Sequence, residues 1–415
     1  MPVLRNISQL ATCPPNTAHH DAGFIANAAL AWDGETIKWA GPYADLPEQY
    51  REEKVIDCGR KLVIPGLVDC HTHLCFGGWR DDEFELRLQG ASYQEIAAAG
   101  GGIASTVAAT RDASLGELQR KAEQVLDGML ALGVTTVECK SGYGLDEANE
   151  LKQLEVYRRL NETHRVDLVP TFLGAHIVPP EYQADRDRYI RLLCDVLIPR
   201  VASLGLARFC DAFVEKGAYT IEEARKILST AAAHKLGIKV HADQLSDGGG
   251  AMLAAELCAV SAEHLEYISD DGIAALSGAG TVAVSLPLAS LYLGEPYLPA
   301  RKLLDSGVPV AVASDFNPGS APSFHLPLAM TLACLKQGMT PQEALKGATT
   351  IGAQAIAAQT RIGSLLPGFQ TDLAIIDAPS LNHWLYQFQA NGCHAVMKRG
   401  EWVWPASPRI SSDPE

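Results

Sequence analysis

Apolar and polar positions follow one rhythm through the middle of the chain and another at its two ends. Short apolar runs recur at 67–71, 134–138, 168–172, 209–214, 238–241, 261–265, 282–286 and 310–314. Runs of this length, apolar almost throughout, are what strands covered on both faces look like. Between most of them lie stretches of helical character, at 115–132, 147–161, 221–236 and 251–257. Eight strands with intervening helices predict an α/β fold, a TIM-like (β/α)8 barrel. A doubly wound sheet is the structural rival. It is disfavoured because no Gly-x-Gly-x-x-Gly follows the first strand.

The ends read as short strands and turns. Ala28-Ala29-Leu30-Ala31-Trp32 runs into Asp33-Gly34, a hairpin signal, and Thr36-Ile37-Lys38-Trp39-Ala40 continues beyond it. A similar pattern returns late, in Asp372-Leu373-Ala374-Ile375-Ile376-Asp377, Ala395-Val396-Met397 and Glu401-Trp402-Val403-Trp404. The expected organisation is therefore a small β-sandwich domain from 1–65 plus 364–415, around a barrel from 66–363.

Composition narrows the class. With 47% hydrophobic and 20% charged residues and a net charge of −15, the chain reads as a globular protein with no nucleic-acid-binding face. An anionic substrate would be repelled at long range and would need a local cation. The ten cysteines are scattered, form no Cys-x-x-Cys, and follow an N-terminus without a signal-peptide pattern, so free thiols in a reducing cytoplasm are expected. The segment 272–294 carries no charge and is long enough to span a bilayer. Its Gly278, Gly280 and Pro287 favour a buried strand with its exit loop, so no membrane contact is expected.

Candidate chemistry centres on Gly66-Leu67-Val68-Asp69-Cys70-His71-Thr72-His73. In extended chain, residues i and i+2 face the same way, so His71 and His73 can aim two imidazoles at one point. Imidazole suits zinc, iron or nickel, but His-x-His alone is weak, because two solvated histidines at a strand end would look the same. Cys70 and Cys75 flank the pair, yet Cys70 alternates away from the imidazole face. In a barrel of this kind, chemistry sits at the C-terminal strand ends. Lys140 stands just past the second run, His176 follows the third, His241 ends the fifth, His264 lies in the sixth and Asp315 ends the eighth. Five of the twelve histidines at strand ends, with an aspartate closing the ring, point to a metal site.

These features resemble the amidohydrolase superfamily. The resemblance rests on Lys61-Leu62-Val63-Ile64-Pro65-Gly66-Leu67-Val68-Asp69-Cys70-His71-Thr72-His73, on the fifth- and sixth-strand histidines, on the eighth-strand aspartate, and on Gly363-Ser364-Leu365-Leu366-Pro367-Gly368 leading to Asp372. More specific stretches are Phe76-Gly77-Gly78-Trp79-Arg80, Glu138-Cys139-Lys140-Ser141-Gly142-Tyr143-Gly144, Gly174-Ala175-His176, His241-Ala242-Asp243-Gln244 and Asp315-Phe316-Asn317-Pro318-Gly319-Ser320. They resemble the branch that opens an imidazolone ring in histidine degradation. What the resemblance implies is hydrolysis of a ring C–N bond of 4-imidazolone-5-propanoate to N-formimino-L-glutamate. It implies one metal ion, zinc or iron, held by His71, His73, His241 and Asp315. Asp315 would also carry the proton, and His264 would hold the water or the developing oxyanion. Tyr143, His176, Gln244, Asn317, Gly319 and Ser320 match positions that contact the small-molecule substrate, and Arg80 is the clamp for its propionate. A homodimer is among the assemblies open to such a chain.

The residues themselves bear on the alternatives. Binuclear members bridge two metals with a carboxylated lysine on the fourth strand, and Phe209-Cys210-Asp211-Ala212-Phe213-Val214 has none. Lys140 is on another strand and Lys216 comes too late. A mononuclear deaminase would need a glutamate proton shuttle three residues after the fifth-strand histidine, where this chain has Gln244. A non-catalytic relative would lack ligands, and none is missing. Arg80 could instead form a surface salt bridge with Asp81 or Glu83. The run Gly100-Gly101-Gly102 is followed by no Lys-Ser or Lys-Thr, so it reads as a mobile flap over the site and not as a phosphate loop.

Overall fold

One apolar run supplies strands to two different sheets. In the computed structural model, which describes residues 1–51, 54–91, 95, 100–387 and 389–405, the run breaks at Gly66. A Cβ at Gly66 would lie 2.3 Å from Thr135 Oγ1, so only glycine lets the chain cross there from the terminal sheet into the barrel.

The terminal sheet contains β1 (Val3–Ala11), β2 (Phe24–Asp33), β3 (Thr36–Pro42), β4 (Val55–Asp57) and β5 (Leu62–Pro65). The barrel follows with β6 (Leu67–Asp69), β7 (Val134–Lys140), β8 (Asp167–Ala175), β9 (Phe209–Val214), β10 (Gly237–Ala242), β11 (Ser261–His264), β12 (Val282–Ser285) and β13 (Val310–Val312). The chain then returns to the terminal sheet through β14 (Leu373–Ile376), β15 (Cys393–Lys398) and β16 (Glu401–Trp404).

All eight apolar runs of the middle segment became parallel strands, each paired with its sequence neighbours. The ring closes beyond the strand ends. Thr72 bridges Phe316, His73 N donates to Phe316 O at 2.8 Å, and Asp315 N donates to His71 O at 3.1 Å. The closure is thus made by the segments that carry the metal-ligand candidates. The helices outside follow from apolar spacing and caps. Leu115–Ala131 buries Leu118, Ala122, Val125, Leu126 and Met129 along one face and starts with a Ser114/Glu117 capping box. Ile221–Ala233 starts the same way with Thr220 and Glu223.

The segment 272–294 is divided among the helix Asp270–Ala279, the buried strand β12 and the helix Pro287–Leu293. No helix among the described residues is long and apolar enough to cross a membrane.

The β unit from both termini is one hydrogen-bonded sheet in the order β16-β15-β14-β5-β1-β2-β3, with β4 also paired to β1. It folds over on itself. Trp32 Nε1 in β2 donates to Gly400 O, next to β16, at 3.2 Å. Leu30, Trp32, Ile37, Val63, Leu373, Ile375 and Met397 share the core between its two halves. A buried ionic clasp holds this unit to the barrel: Lys398 Nζ lies 2.9 Å from Asp167 Oδ2 and 2.8 Å from Asp372 Oδ2.

Candidate metal centre and substrate pocket

β6 stops at Asp69, earlier than the sequence suggests, yet His71 and His73 keep the alternation of extended chain. Their ring centroids are 5.3 Å apart. Their segment is tied to a neighbour strand on one side, where Lys140 N donates to Thr72 O at 2.9 Å, and to Phe316 on the other. His241, near the end of β10, brings its ring to 4.7 Å from His71 and 5.5 Å from His73. Asp315 Oδ1 lies 3.2 Å from His71 Nε2 and 3.5 Å from His73 Nε2. The structure therefore brings His71, His73, His241 and Asp315 to one buried point.

His264 reaches the same point, with its ring 5.3 Å from that of His241 and 5.7 Å from that of His71. Ligating atoms of His71, His73 and Asp315 lie within 4.8 Å of one another, and so do those of His71, His241 and His264. Asp315 and His264 have φ of 55° and 77°, left-handed values that non-glycine residues seldom adopt. Such conformations cost about 1–3 kcal/mol each and are held only where surrounding structure enforces them.

The donor set fits a metal ion. Nε2 of His71, Nε2 of His241 and both Asp315 carboxylate oxygens are buried without a hydrogen-bond partner among the described residues. Burial pushes His73 well below the ordinary histidine pKa, and it takes His241 to about 4 despite the adjacent Asp211 carboxylate. Neutral imidazoles have the lone pair that a metal needs. Burial also acts against a charge on His71, but Glu263 and Asp315 together outweigh it and raise the pKa to about 9. The field at that ring favours a cation at Nε2, proton or metal. Cys70 and Cys75 join none of these groups, and burial raises both thiols, that of Cys75 to about 12.

Beneath the candidate ligands lies a set of charges that the sequence alone does not assemble. His71 Nδ1 is 2.6 Å from Glu263 Oε2, and His241 Nδ1 is 2.9 Å from Asp211 Oδ2. Lys140 Nζ lies 2.8 Å from Glu138 Oε1, 2.9 Å from Asp211 Oδ2 and 2.8 Å from Glu263 Oε2. Lys239 Nζ takes the other Glu263 oxygen at 2.5 Å. Lys140 is the last residue of β7, two residues later than the expected strand end, and its side chain points inward. The available signal was period 2: Glu138 with Lys140, and Lys239 with His241, are charged or titratable residues two apart in otherwise apolar runs.

Arg80 is not at the surface. Its side chain is 8% exposed, and Nε and Nη1 have no hydrogen-bond partner among the described residues. Glu83 Oε2 stands 3.9 Å from Nε, beyond hydrogen-bond range, while Glu83 Oε1 accepts from Gly102 N at 2.6 Å. That bond anchors the end of the glycine run; residues 92–94 and 96–99, just before it, lie outside the described residues. The Arg80 guanidinium lies against Gly319, on the loop that follows Asp315.

Asn317 shapes that loop. Its Oδ1 accepts from Gly319 N at 2.8 Å and Ser320 N at 2.7 Å, and its Nδ2 donates to Asp315 O at 2.7 Å. Nδ2 also donates to Ser320 Oγ at 2.8 Å, so both ends of the amide are engaged within the loop. His176 stacks on His73 with centroids 5.3 Å apart, and its Nδ1 meets Gly142 O at 3.0 Å. Tyr143 packs 5.8 Å from His73 and 5.4 Å from His176. Gln244, two residues past β10, is half-buried.

A metal-ligand cluster at the C-terminal mouth of a closed parallel barrel defines a class, and the sequence comparison gives it a name. The model of the amidohydrolase family matches residues 62–403, and the chain belongs to that family. Among curated relatives the agreement is more particular. An imidazolonepropionase of Geobacillus kaustophilus is 46% identical over 387 residues, covering 92% of this chain and 91% of that protein. The imidazolonepropionase of Alkaliphilus metalliredigens is 47% identical over 413 residues, 97% of each chain. That of Parabacteroides distasonis is 42% identical over 406 residues, 96% of this chain and 98% of its own. Solved structures share the fold. A triazine hydrolase from Arthrobacter aurescens superposes with a TM-score of 0.76 at 17% identity, covering 98% of this chain and 96% of its own. An adenosine deaminase from Xanthomonas campestris, with bound zinc, gives 0.71 at 17% identity, covering 97% and 92%.

Proposed function

We propose that this chain opens the ring of 4-imidazolone-5-propanoate by hydrolysis of a C–N bond, giving N-formimino-L-glutamate. The observation that supports the substrate assignment is Arg80, a buried guanidinium with unmet donors that lies against Gly319, on the loop that follows the ligand candidate Asp315. A carboxylate is the ligand that such a fork-shaped cation takes with most hydrogen bonds. In a chain of net charge −15, a local cation is also what an anionic substrate requires.

His71, His73, His241 and Asp315 would hold one metal ion, zinc or iron. When bound, the ion supplies Lewis acidity that lowers the pKa of water from about 15.7 towards 7. Asp315 takes a proton from the water that adds to the ring carbonyl carbon. His264, fixed beside the cluster by burial and by its left-handed backbone, donates to the oxygen on which charge develops. The carbonyl carbon–nitrogen bond then breaks, and Asp315 returns the proton to the leaving ring nitrogen. The water oxygen ends in the new carboxylate, and the nitrogen ends in the formimino group. Gln244, which can donate and accept hydrogen bonds but cannot shuttle a proton, orients the ring. His176 and Tyr143 form the wall beside His73, and Gly319 with Ser320 the floor under Arg80.

The two sheets support a division at 65 and 364, with the barrel between. Ten free cysteines, eight of them buried, suit a cytoplasmic setting. The test is to supply 4-imidazolone-5-propanoate, and separately cytosine and guanine, to the purified protein. Ring opening with little nucleobase deamination supports the reading. Efficient deamination with the imidazolone untouched refutes it.

A further inference from the structure

We infer that Lys140 is a positioning residue: its ammonium holds Asp211 and Glu263 against His241 and His71, and so aims both imidazoles at the metal. This rests on the reading that those histidines are ligands. The reaction steps above make no use of Lys140, although it is fully buried, and so are the carboxylates around it.

The geometry is specific to the atom. The Glu263 oxygen that meets His71 Nδ1 is Oε2, and Lys140 Nζ lies 2.8 Å from that same oxygen. The Asp211 oxygen that meets His241 Nδ1 is Oδ2, and Lys140 Nζ lies 2.9 Å from it. One ammonium thus spans the two carboxylates that face two ligands. An ammonium can only donate, and each shared oxygen lies within 2.9 Å of both Lys140 Nζ and an imidazole Nδ1. Carboxylates so placed favour the Nδ1–H tautomer of both rings, which leaves Nε2 for the ion.

The lysine is itself fixed relative to the ligands. Its backbone N donates to the carbonyl of Thr72, the residue between His71 and His73, at 2.9 Å. Thr72 Oγ1 donates to Glu138 O at 2.8 Å, and the hydroxyl of Tyr157 donates to Lys140 O at 2.7 Å. Donor atoms of Asp211, His241 and Glu263 lie within 4.8 Å of one another, close enough to attract a cation. The Lys140 ammonium already fills that role.

The test is zinc affinity, measured by competition with a chromophoric chelator, for wild type, Lys140→Met, Glu138→Gln and the double variant Lys140→Met/Glu138→Gln. The double variant removes one positive and one negative charge, so the net charge of the cluster is that of wild type. Positioning by Lys140 predicts about 10- to 100-fold weaker zinc binding in both variants lacking it, at wild-type secondary structure by circular dichroism. Glu138→Gln, which touches no histidine, should stay within about threefold. A folded Lys140→Met or double variant that binds zinc within threefold of wild type overturns the inference, as does an equal loss in Glu138→Gln. Should both lysine variants fail to fold, ¹⁵N NMR of histidine-labelled, zinc-loaded wild type decides: Nδ1 protonated and Nε2 ligated in His71 and His241 supports it, and ligation of either through Nδ1 overturns it. Wild type that binds no zinc would remove the metal reading, and this inference with it.

Discussion

Arg80 rests on the bare Cα of Gly319, where an added methyl group would lie 0.9 Å from Nη2. The pair gives two independent ways to move one guanidinium. A charge-assisted hydrogen bond contributes about 1.5–3 kcal/mol, so Arg80→Met should lower kcat/KM by about one to two powers of ten. Gly319→Ala should do the same without touching the charge, because the guanidinium must leave its place. For an analogue lacking the carboxylate, both losses should shrink to a few-fold. Full activity in Gly319→Ala would mean that the clamp does not need this position.

Asp315 and Gln244 separate ring hydrolysis from deamination. In the proposed reaction Asp315→Asn removes both a ligand and the proton carrier, and the expected loss is about 10²–10⁴ in kcat, or loss of the metal. Gln244→Glu should keep substantial ring-opening activity, since the proposal has Asp315 move the proton. Gln244→Ala should mainly raise KM. Steady-state kinetics of the three variants check this, and a Gln244→Ala variant indistinguishable from wild type would place that side chain outside the pocket.

The metal should also be visible in stability. An ion that binds only the folded chain adds RT ln(1 + [M]/Kd), about 2.7 kcal/mol at a hundredfold excess over Kd. A chelator should therefore lower the Tm of wild type but leave the Tm of His71→Ala/His73→Ala unchanged. Equal chelator effects on both proteins would place the ion elsewhere.

The clasp between the barrel and the terminal sheet carries a pH signature. Burial would raise the pKa of Asp167, but Lys398 and Arg399 outweigh it and hold the carboxyl below its usual range. A depressed carboxyl contributes stability that is complete above its unfolded pKa, about 3.9, and is lost as pH falls through the lower folded value. Asp167→Asn should lower Tm at pH 7 and flatten the fall of Tm below about pH 4. Lys398→Met, which leaves Asp372 buried without its cation, should cost about 3 kcal/mol. Thermal melts at pH 7 and below pH 4 check the first effect, and urea unfolding at pH 7 the second.

The barrel was legible because its strands are covered on both faces, so apolar runs mark them without ambiguity. The histidines were legible because they stand where those runs stop. The partners of their second nitrogens were not, because strand register sets them. Pairing of β9 with β10 sets Asp211 opposite Lys239, two residues before His241, whose Nδ1 it reaches, and pairing of β10 with β11 sets Glu263 opposite His241, from where it reaches His71 Nδ1. A single chain of letters holds no such register. Arg80 drew notice by its place after the first strand, but its seat on Gly319 depends on a loop more than two hundred residues away in sequence. The hub role of Lys140 was hidden for a related reason: its carboxylate partners come from β7, β9 and β11, strands that only the closed barrel brings together.

The most direct measurement is a titration of metal-free protein with zinc, and separately with iron, while ring opening of 4-imidazolone-5-propanoate is followed. A single site built from His71, His73, His241 and Asp315 predicts activity that rises linearly and breaks at one equivalent per chain. A break at two equivalents, both needed for turnover, would contradict the single-ion centre. No ring opening at any loading of either metal would contradict the proposed reaction itself.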